Sequence, residues 1–219
     1  MPTDLAPPKL AVFPDPGACD SPAFGRMLAR RSFLLGVPSA ILVGLARRTA
    51  RADDVAVPPA VQAQLIGKVA AYDKEFANRA GARAQVLVVV RSGDDASTRT
   101  GAAMMKELGA LSTIGGLPHD ETQLTFTNAK DLATAIKKKG AAIVVLTPGH
   151  GGEIDAIRTA LDGVNVLSVS TVAEWVPRGV VLGFDLVSGK PKLLVHLGQA
   201  KKQNVVFKAE VLKLMRVYE

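Results

Sequence analysis

Cysteine and aromatic residues are scarce in this chain. A single cysteine, Cys19, stands among 219 residues. It lies ahead of the first long apolar stretch, so everything downstream is free of thiols. A disulfide framework, a zinc–thiolate site and a cysteine nucleophile are thereby excluded from the body of the protein. Aromatic residues make up 5% of the chain and include one tryptophan, Trp175. No basic stripe is interleaved with aromatics, so a nucleic-acid surface is not expected. No apolar run approaches the ~20 residues that a membrane-spanning helix needs. No G-x-S-x-G nucleophile elbow occurs. His119, His150 and His196 fall in separate segments without H-x-x-x-H spacing, so no metal site is expected.

What the chain does have is enough apolar material for a core. Apolar residues make up 48% and charged residues 21%, which excludes intrinsic disorder and collagen-like repeats. The length fits one domain or two small ones. The net charge of +7 is unevenly placed. Residues 1–52 hold seven Lys and Arg against three Asp, which leaves a net +3 for the rest.

That basic amino-terminal segment reads as an export signal. Arg30-Arg31-Ser32-Phe33-Leu34 is a twin-arginine pattern that opens an apolar stretch running from Phe33 to Leu45. A small-x-small pattern, Ala50-Arg51-Ala52, follows it. Arg47 and Arg48 resemble the basic region that accompanies twin-arginine signals, and they disfavour a plain Sec signal. The expected organisation is a signal peptide over 1–52, cleaved after Ala52, a short linker over 53–57 and one domain over 58–219. Export then leaves 167 residues in the periplasm. An uncleaved anchor is the alternative. A twin-arginine substrate folds in the reducing cytoplasm, and a disulfide-free domain suits that route.

The domain opens with a helix at Pro58-Pro59, since proline is tolerated in a first turn. Val61, Leu65, Val69, Tyr72 and Phe76 give it one apolar stripe that stops near Gly81. Three β-branched runs follow, Gln85–Val90, Ala142–Leu146 and Val164–Val169. Such continuous runs fit strands buried on both faces of a parallel sheet. Helical segments alternate with them: Ser97–Leu108, Ala129–Lys139 and Glu153–Leu161. Gly115-Gly116-Leu117-Pro118 is a break, and Gln123–Thr127 reads as a half-exposed strand. The alternation predicts an α/β three-layer sandwich around a mostly parallel sheet. Val180–Val187 and Lys192–Leu197 flank a turn signal, Ser188-Gly189-Lys190-Pro191, and read as an antiparallel hairpin. Alternation puts Leu182, Phe184, Leu186, Leu193, Val195 and Leu197 on one face. A final helix is expected over Lys208–Val217, packing Val211, Leu212, Leu214 and Met215 inward.

Candidate chemistry is sparse, and a catalytic constellation or a resident cofactor is not expected. Gly149-His150-Gly151-Gly152 follows a buried strand and precedes a helix, where backbone N–H groups can cradle an anion. It matches neither phosphate-binding fingerprint, so an ordinary strand-to-helix turn is the competing reading. His150 beside Glu153 suggests an acid–base pair or a chance neighbour in one helical turn. Trp175 either anchors its loop on the core or serves as an aromatic contact for a partner.

The carboxyl-terminal third carries an ordered series of segments. Val166-Leu167-Ser168-Val169-Ser170 is followed by Arg178-Gly179-Val180-Val181-Leu182-Gly183-Phe184. Then come Leu193-Leu194-Val195-His196-Leu197 with Gln199-Ala200, and Leu212-Lys213-Leu214-Met215-Arg216-Val217. The series resembles the YfiR/HmsC-like family of periplasmic proteins, most strongly over residues 164–217. Ala71-Tyr72 extends the resemblance loosely to the first helix. The chain departs from the family in three ways. Ala77-Asn78-Arg79-Ala80-Gly81 stands where members often have Trp-Pro, His196 replaces the usual strand asparagine, and the paired cysteines of some members are missing.

The resemblance implies a non-enzymatic periplasmic regulator that binds the outer domain of a membrane-bound sensor or cyclase. In the family that enzyme is typically a diguanylate cyclase, restrained by the bound regulator in cyclic di-GMP signalling. The expected partner surface is the polar face of the hairpin and its neighbouring loop: Arg178, Asp185, Lys192 and His196, with Trp175 as aromatic anchor. The alternative is a small-solute-binding module that serves a transporter or sensor, with Gly149, His150, Gly151 and Gly152 in its pocket. A homodimer is left open, as is the identity of any small ligand.

Overall fold

A computed structural model describes residues 56–219 of the chain. The expected export signal, its expected cleavage site and the first residues of the expected linker lie outside the described residues. The elements in chain order are α1 (Pro59–Ala70), α2 (Phe76–Ala80), β1 (Ala84–Val90), α3 (Asp95–Gly109), β2 (His119–Thr125), α4 (Ala129–Lys139) and β3 (Ala141–Leu146). They continue with α5 (Ile154–Ala160), β4 (Leu167–Ser170), a 3-10 turn (Ala173–Trp175), β5 (Leu182–Val187), β6 (Lys190–His196), α6 (Leu197–Lys202), α7 (Ala209–Leu212) and β7 (Met215–Tyr218).

Seven strands form one sheet in the order β2-β1-β3-β4-β5-β6-β7. Every neighbouring pair is parallel except β5 and β6, which form the antiparallel hairpin. The strand β1 therefore has β2 on one side and β3 on the other, a reversal of winding direction between β1 and β3. Such switch points open a crevice outside the carboxyl ends of the strands. The two faces of β1 show how the layers form. Val86 and Val88 pack with Ile66 of α1 and with Met104 and Leu108 of α3. Leu87 and Val89 pack with Leu132 and Ile136 of α4 and with Ile154 and Ile157 of α5. Period-2 side chains thus feed two cores, and the expected three-layer α/β sandwich is present.

Two expected helices are broken, each for a tertiary reason. The stripe from Val61 to Phe76 belongs to two helices, with Tyr72 40% exposed at the break. Asp73 leaves the helix to bridge to Phe207. One of its carboxylate oxygens accepts from the N–H groups of Glu75 and Val206, and the other accepts from Arg79 at 2.7 Å. Arg79 also donates to Asn165 and to the Asn204 carbonyl, so α2 is tied to two distant loops.

At the carboxyl terminus the expected helix is cut to one turn, α7, and the chain turns into β7. Pairing Leu193–His196 with Met215–Tyr218 satisfies the outer backbone groups of β6, which a helix would have left bare. Val211 and Met215 are buried as expected, whereas Leu214 is 64% exposed. The hairpin turn is also tighter than the four residues expected. Ser188 and Gly189, both with positive φ, form it alone, and Lys190 already pairs with Val187.

The hairpin overshoots the rest of the sheet. Ser170 ends β4 opposite Gly183, and Leu146 ends β3 opposite Ser170. Residues 184–187 of β5, with their partners on β6, therefore project beyond the carboxyl ends of the central strands. This arm and the loops after β3 and β4 frame the candidate sites.

Candidate functional site

The glycine loop after β3 is built from the strand end outward. Thr147 caps β3 by donating its hydroxyl to the Val89 carbonyl at 2.7 Å, and it lies 2.6 Å from the Ser97 hydroxyl. The Ser97 hydroxyl accepts the Arg91 N–H, and the Ser97 N–H donates to the Asp94 carboxylate that caps α3. A hydroxyl pair thus pins the first turn of α3 to β3. Gly149 follows with φ +96°, and a Cβ there would sit 2.7 Å from the Asp94 carboxylate. The position needs glycine twice over, for conformation and for space.

Two arginines hold the loop through its carbonyls. Arg91 donates to the Gly149 carbonyl at 2.9 Å and to Glu153 at 2.8 Å. Arg178 donates to the Gly151 carbonyl at 2.8 Å and to Asp155 at 2.7 Å. The Arg178 hydrogen bond holds the exposed Asp155 carboxyl below its usual range. Glu153 stands at the N-cap position of α5, where its carboxylate meets Arg91 instead of His150. The loop therefore offers carbonyl oxygens already engaged by cations, with a carboxylate at the helix start.

His150 lies under the loop and is fully buried. Its ring meets Phe126 edge-on at 4.8 Å between centroids and Trp175 at 6.3 Å. Neither ring nitrogen makes a hydrogen bond. Burial pushes the imidazole below its ordinary pKa, helped by the nearby Arg91 guanidinium and opposed by the Val89 carbonyl.

Of the residues expected on a partner surface, the structure brings Trp175 and Arg178 to the glycine loop. Trp175 is 6% exposed, with its indole edge facing Gly151. Asp185 and Lys192 are directly opposed across the projecting hairpin. His196 is elsewhere: it ends β6 and its Nδ1 accepts from the Gln199 N–H, which caps α6. Burial lowers its pKa also. The five residues thus occupy three places, of which the glycine loop with Arg178 is the most structured.

Sequence reasoning missed several polar groups. Arg91 has no motif, and its role follows only from the juxtaposition of β1 and β3. Gln62 was hidden in the polar positions of α1 yet is 3% exposed. His119 and Glu121, spaced H-x-E on β2, pair with each other, and the ring also bonds to the Leu111 carbonyl. Among the described residues, no group of three or more His, Cys, Asp or Glu could hold a metal ion. No described helix is long and apolar enough to cross a membrane.

A flavodoxin-like winding extended by a hairpin and a parallel edge strand defines a doubly wound α/β domain with a crevice outside the carboxyl ends of its strands. The YfiR/HmsC-like family model matches residues 59–216, and the chain belongs to that family. The family is one of periplasmic, regulatory, non-catalytic proteins.

No curated protein matches the chain. Among solved structures it is similar to an ABC domain from Streptococcus pneumonia in complex with L-Trp. The TM-score is 0.53 at 9% identity over 74% of this chain and 62% of that one. It is also similar to a conserved domain protein from Vibrio cholerae. Here the TM-score is 0.52 at 14% identity over 76% of this chain and 61% of that one. The chain thus matches less than two thirds of either neighbour, and the likeness is one of fold.

Proposed function

We propose that the protein is a periplasmic regulator that binds the outer domain of a membrane-bound signalling enzyme and restrains it, the family-typical enzyme being a diguanylate cyclase. The observation that carries this reading is the family match, which runs from the first residue of α1 into β7. Export through the Arg30-Arg31-Ser32-Phe33-Leu34 signal, with cleavage after Ala52, delivers it to the side of the membrane where such a domain stands.

A regulator of this kind needs no reaction. It acts by binding one conformational state of its target more tightly than another. Moving a target from 1:99 to 99:1 takes about a 10⁴-fold difference in affinity between the two states. The glycine loop with Arg178, beside the projecting Asp185–Lys192 arm, is the proposed contact. Its rigidity favours the reading: the loop is held by two arginines from different elements, so little ordering is needed on binding. Trp175 then acts as the buried support of the loop that carries Arg178.

The test is affinity capture from detergent-solubilised membranes with the exported protein as bait. The expected captive is a membrane protein with a periplasmic domain and a cytoplasmic cyclase domain. Arg178→Glu with Lys192→Glu should lose it while the melting curve is kept. Capture of a transport permease alone would support the solute-binding alternative instead.

A further inference from the structure

An open groove of about 810 Å³ runs between the first turn of α1, the turn after β4 and the projecting hairpin. Pro148 and Thr171 line its floor, which places it outside the carboxyl ends of β3 and β4, where open α/β sheets receive ligands. Its volume lies within the usual ~300–1,000 Å³ of small-molecule sites. It shares Asp185 of the arm with the partner contact proposed above, but neither Arg178 nor Lys192 lines it, and ligand binding here is read without any partner.

Three features define what would fit. Phe184 and Leu186, on the inner face of the arm, form an apolar wall. Gln62, 3% exposed, lines the groove from α1. Its Nε2 donates to the Val57 carbonyl at 2.6 Å, which fixes the amide orientation, and its Oε1 has no hydrogen-bond partner. A buried amide oxygen without a donor calls for one. The charged residues lining the groove are Glu174 and Asp185, and among the described residues no lysine or arginine lines it. Lys192, opposite Asp185 on the hairpin, is outside the lining.

We infer that this groove is a binding site for a small uncharged or cationic molecule with an apolar body and an N–H or O–H donor directed at Gln62. The orphan acceptor selects the donor, the two carboxylates disfavour an anion, and Phe184 and Leu186 cover the apolar part. Leaving Oε1 unpaired against an analogue without a donor is the source of selectivity.

Calorimetric titration of the purified protein tests this, with phenethylamine, neutral phenethyl alcohol and anionic phenylacetate as probes. The amine or the alcohol should bind, and phenylacetate should bind at least about tenfold more weakly. Gln62→Met keeps the volume and removes the acceptor, and it should weaken binding about tenfold, the loss of one hydrogen bond. Leu186→Trp fills the groove from the half-exposed arm without touching Gln62, and it should abolish binding at an unchanged melting temperature. If Gln62→Met melts early because the Val57 contact is lost, the Leu186→Trp protein decides. No binding by either donor probe, equal binding of phenylacetate, or full binding by a well-folded Leu186→Trp protein would overturn the assignment.

Discussion

The guanidinium of Arg178 donates to the carbonyl of Gly151 at 2.8 Å, joining the loop after β4 to the glycine turn after β3. The same side chain reaches Asp155 on α5 at 2.7 Å. One residue thus fixes two loops and a helix start at the carboxyl end of the sheet. The Asp155 side chain is 62% exposed and that of Arg178 39%, so the pair sits in water and adds little to stability. Its value lies in geometry.

Trp175 and Arg178 should therefore separate by experiment. Arg178→Glu sets a carboxylate against the Gly151 carbonyl and Asp155. It should weaken partner capture by about 2 kcal/mol or more, the hot-spot level, with a near-normal melt. Trp175→Ala removes a buried aromatic and should cost about 3–5 kcal/mol of stability. Paired denaturation and capture measurements check both. An Arg178→Glu protein that captures normally would remove this loop from the interface.

The ion pair between Asp73 and Arg79 is the opposite case. Its side chains are 0% and 2% exposed, and each partner carries further hydrogen bonds. Asp73→Ala leaves the guanidinium buried without its anion, and the expected loss is about 3–5 kcal/mol by chemical denaturation. Replacing both partners by apolar residues of similar volume should cost less than the single change. A larger loss in the double variant would show that the hydrogen bonds to Asn165 and Asn204, not the charge pairing, hold α2 in place.

His150 gives a pH dependence of defined sign. Its folded pKa lies below the ordinary 6.5, because burial disfavours the imidazolium. The unfolded chain then binds the proton first. Stability is complete above pH 6.5 and falls as the pH drops from there toward the folded pKa. His196 is shifted in the same direction and contributes in the same window. His150→Phe, which retains the aromatic packing, should flatten the fall of the melting temperature as the pH drops below 6.5. An unchanged slope would assign the effect to other groups.

Much of the architecture was legible in the sequence because it depends on local periodicity. The β-branched runs at Gln85–Val90 and Ala142–Leu146 and the capped helix Ala129–Lys139 need no distant partner to be recognised. The misread segments do need one. The stripe from Val61 to Phe76 continues in sequence but is broken by Asp73, whose partners are Arg79 and Val206. Met215–Tyr218 became a strand because β6 offered an edge. At the site, Gly149–Gly152 stood out as a glycine cluster. Arg91 and Gln62 did not, since one matters through a neighbouring loop and the other through a burial that its own helix does not reveal.

The proposed export route is testable apart from structure, since the segment that carries it lies outside the described residues. Arg30→Lys with Arg31→Lys keeps the charge but not the planar guanidinium geometry. The double variant should accumulate as precursor in the cytoplasm, seen by fractionation and by the amino-terminal sequence of the product. Normal periplasmic delivery, with cleavage after Ala52, would assign export to another route.

The most direct measurement is the intracellular cyclic di-GMP level in cells that lack this protein. Restraint of a membrane cyclase predicts a rise on deletion. The rise should be reversed by the exported wild-type protein and not by the Arg178→Glu, Lys192→Glu variant or by protein held in the cytoplasm. An unchanged level in the deletion strain, under conditions where the wild-type protein is present in the periplasm, would contradict the regulatory account.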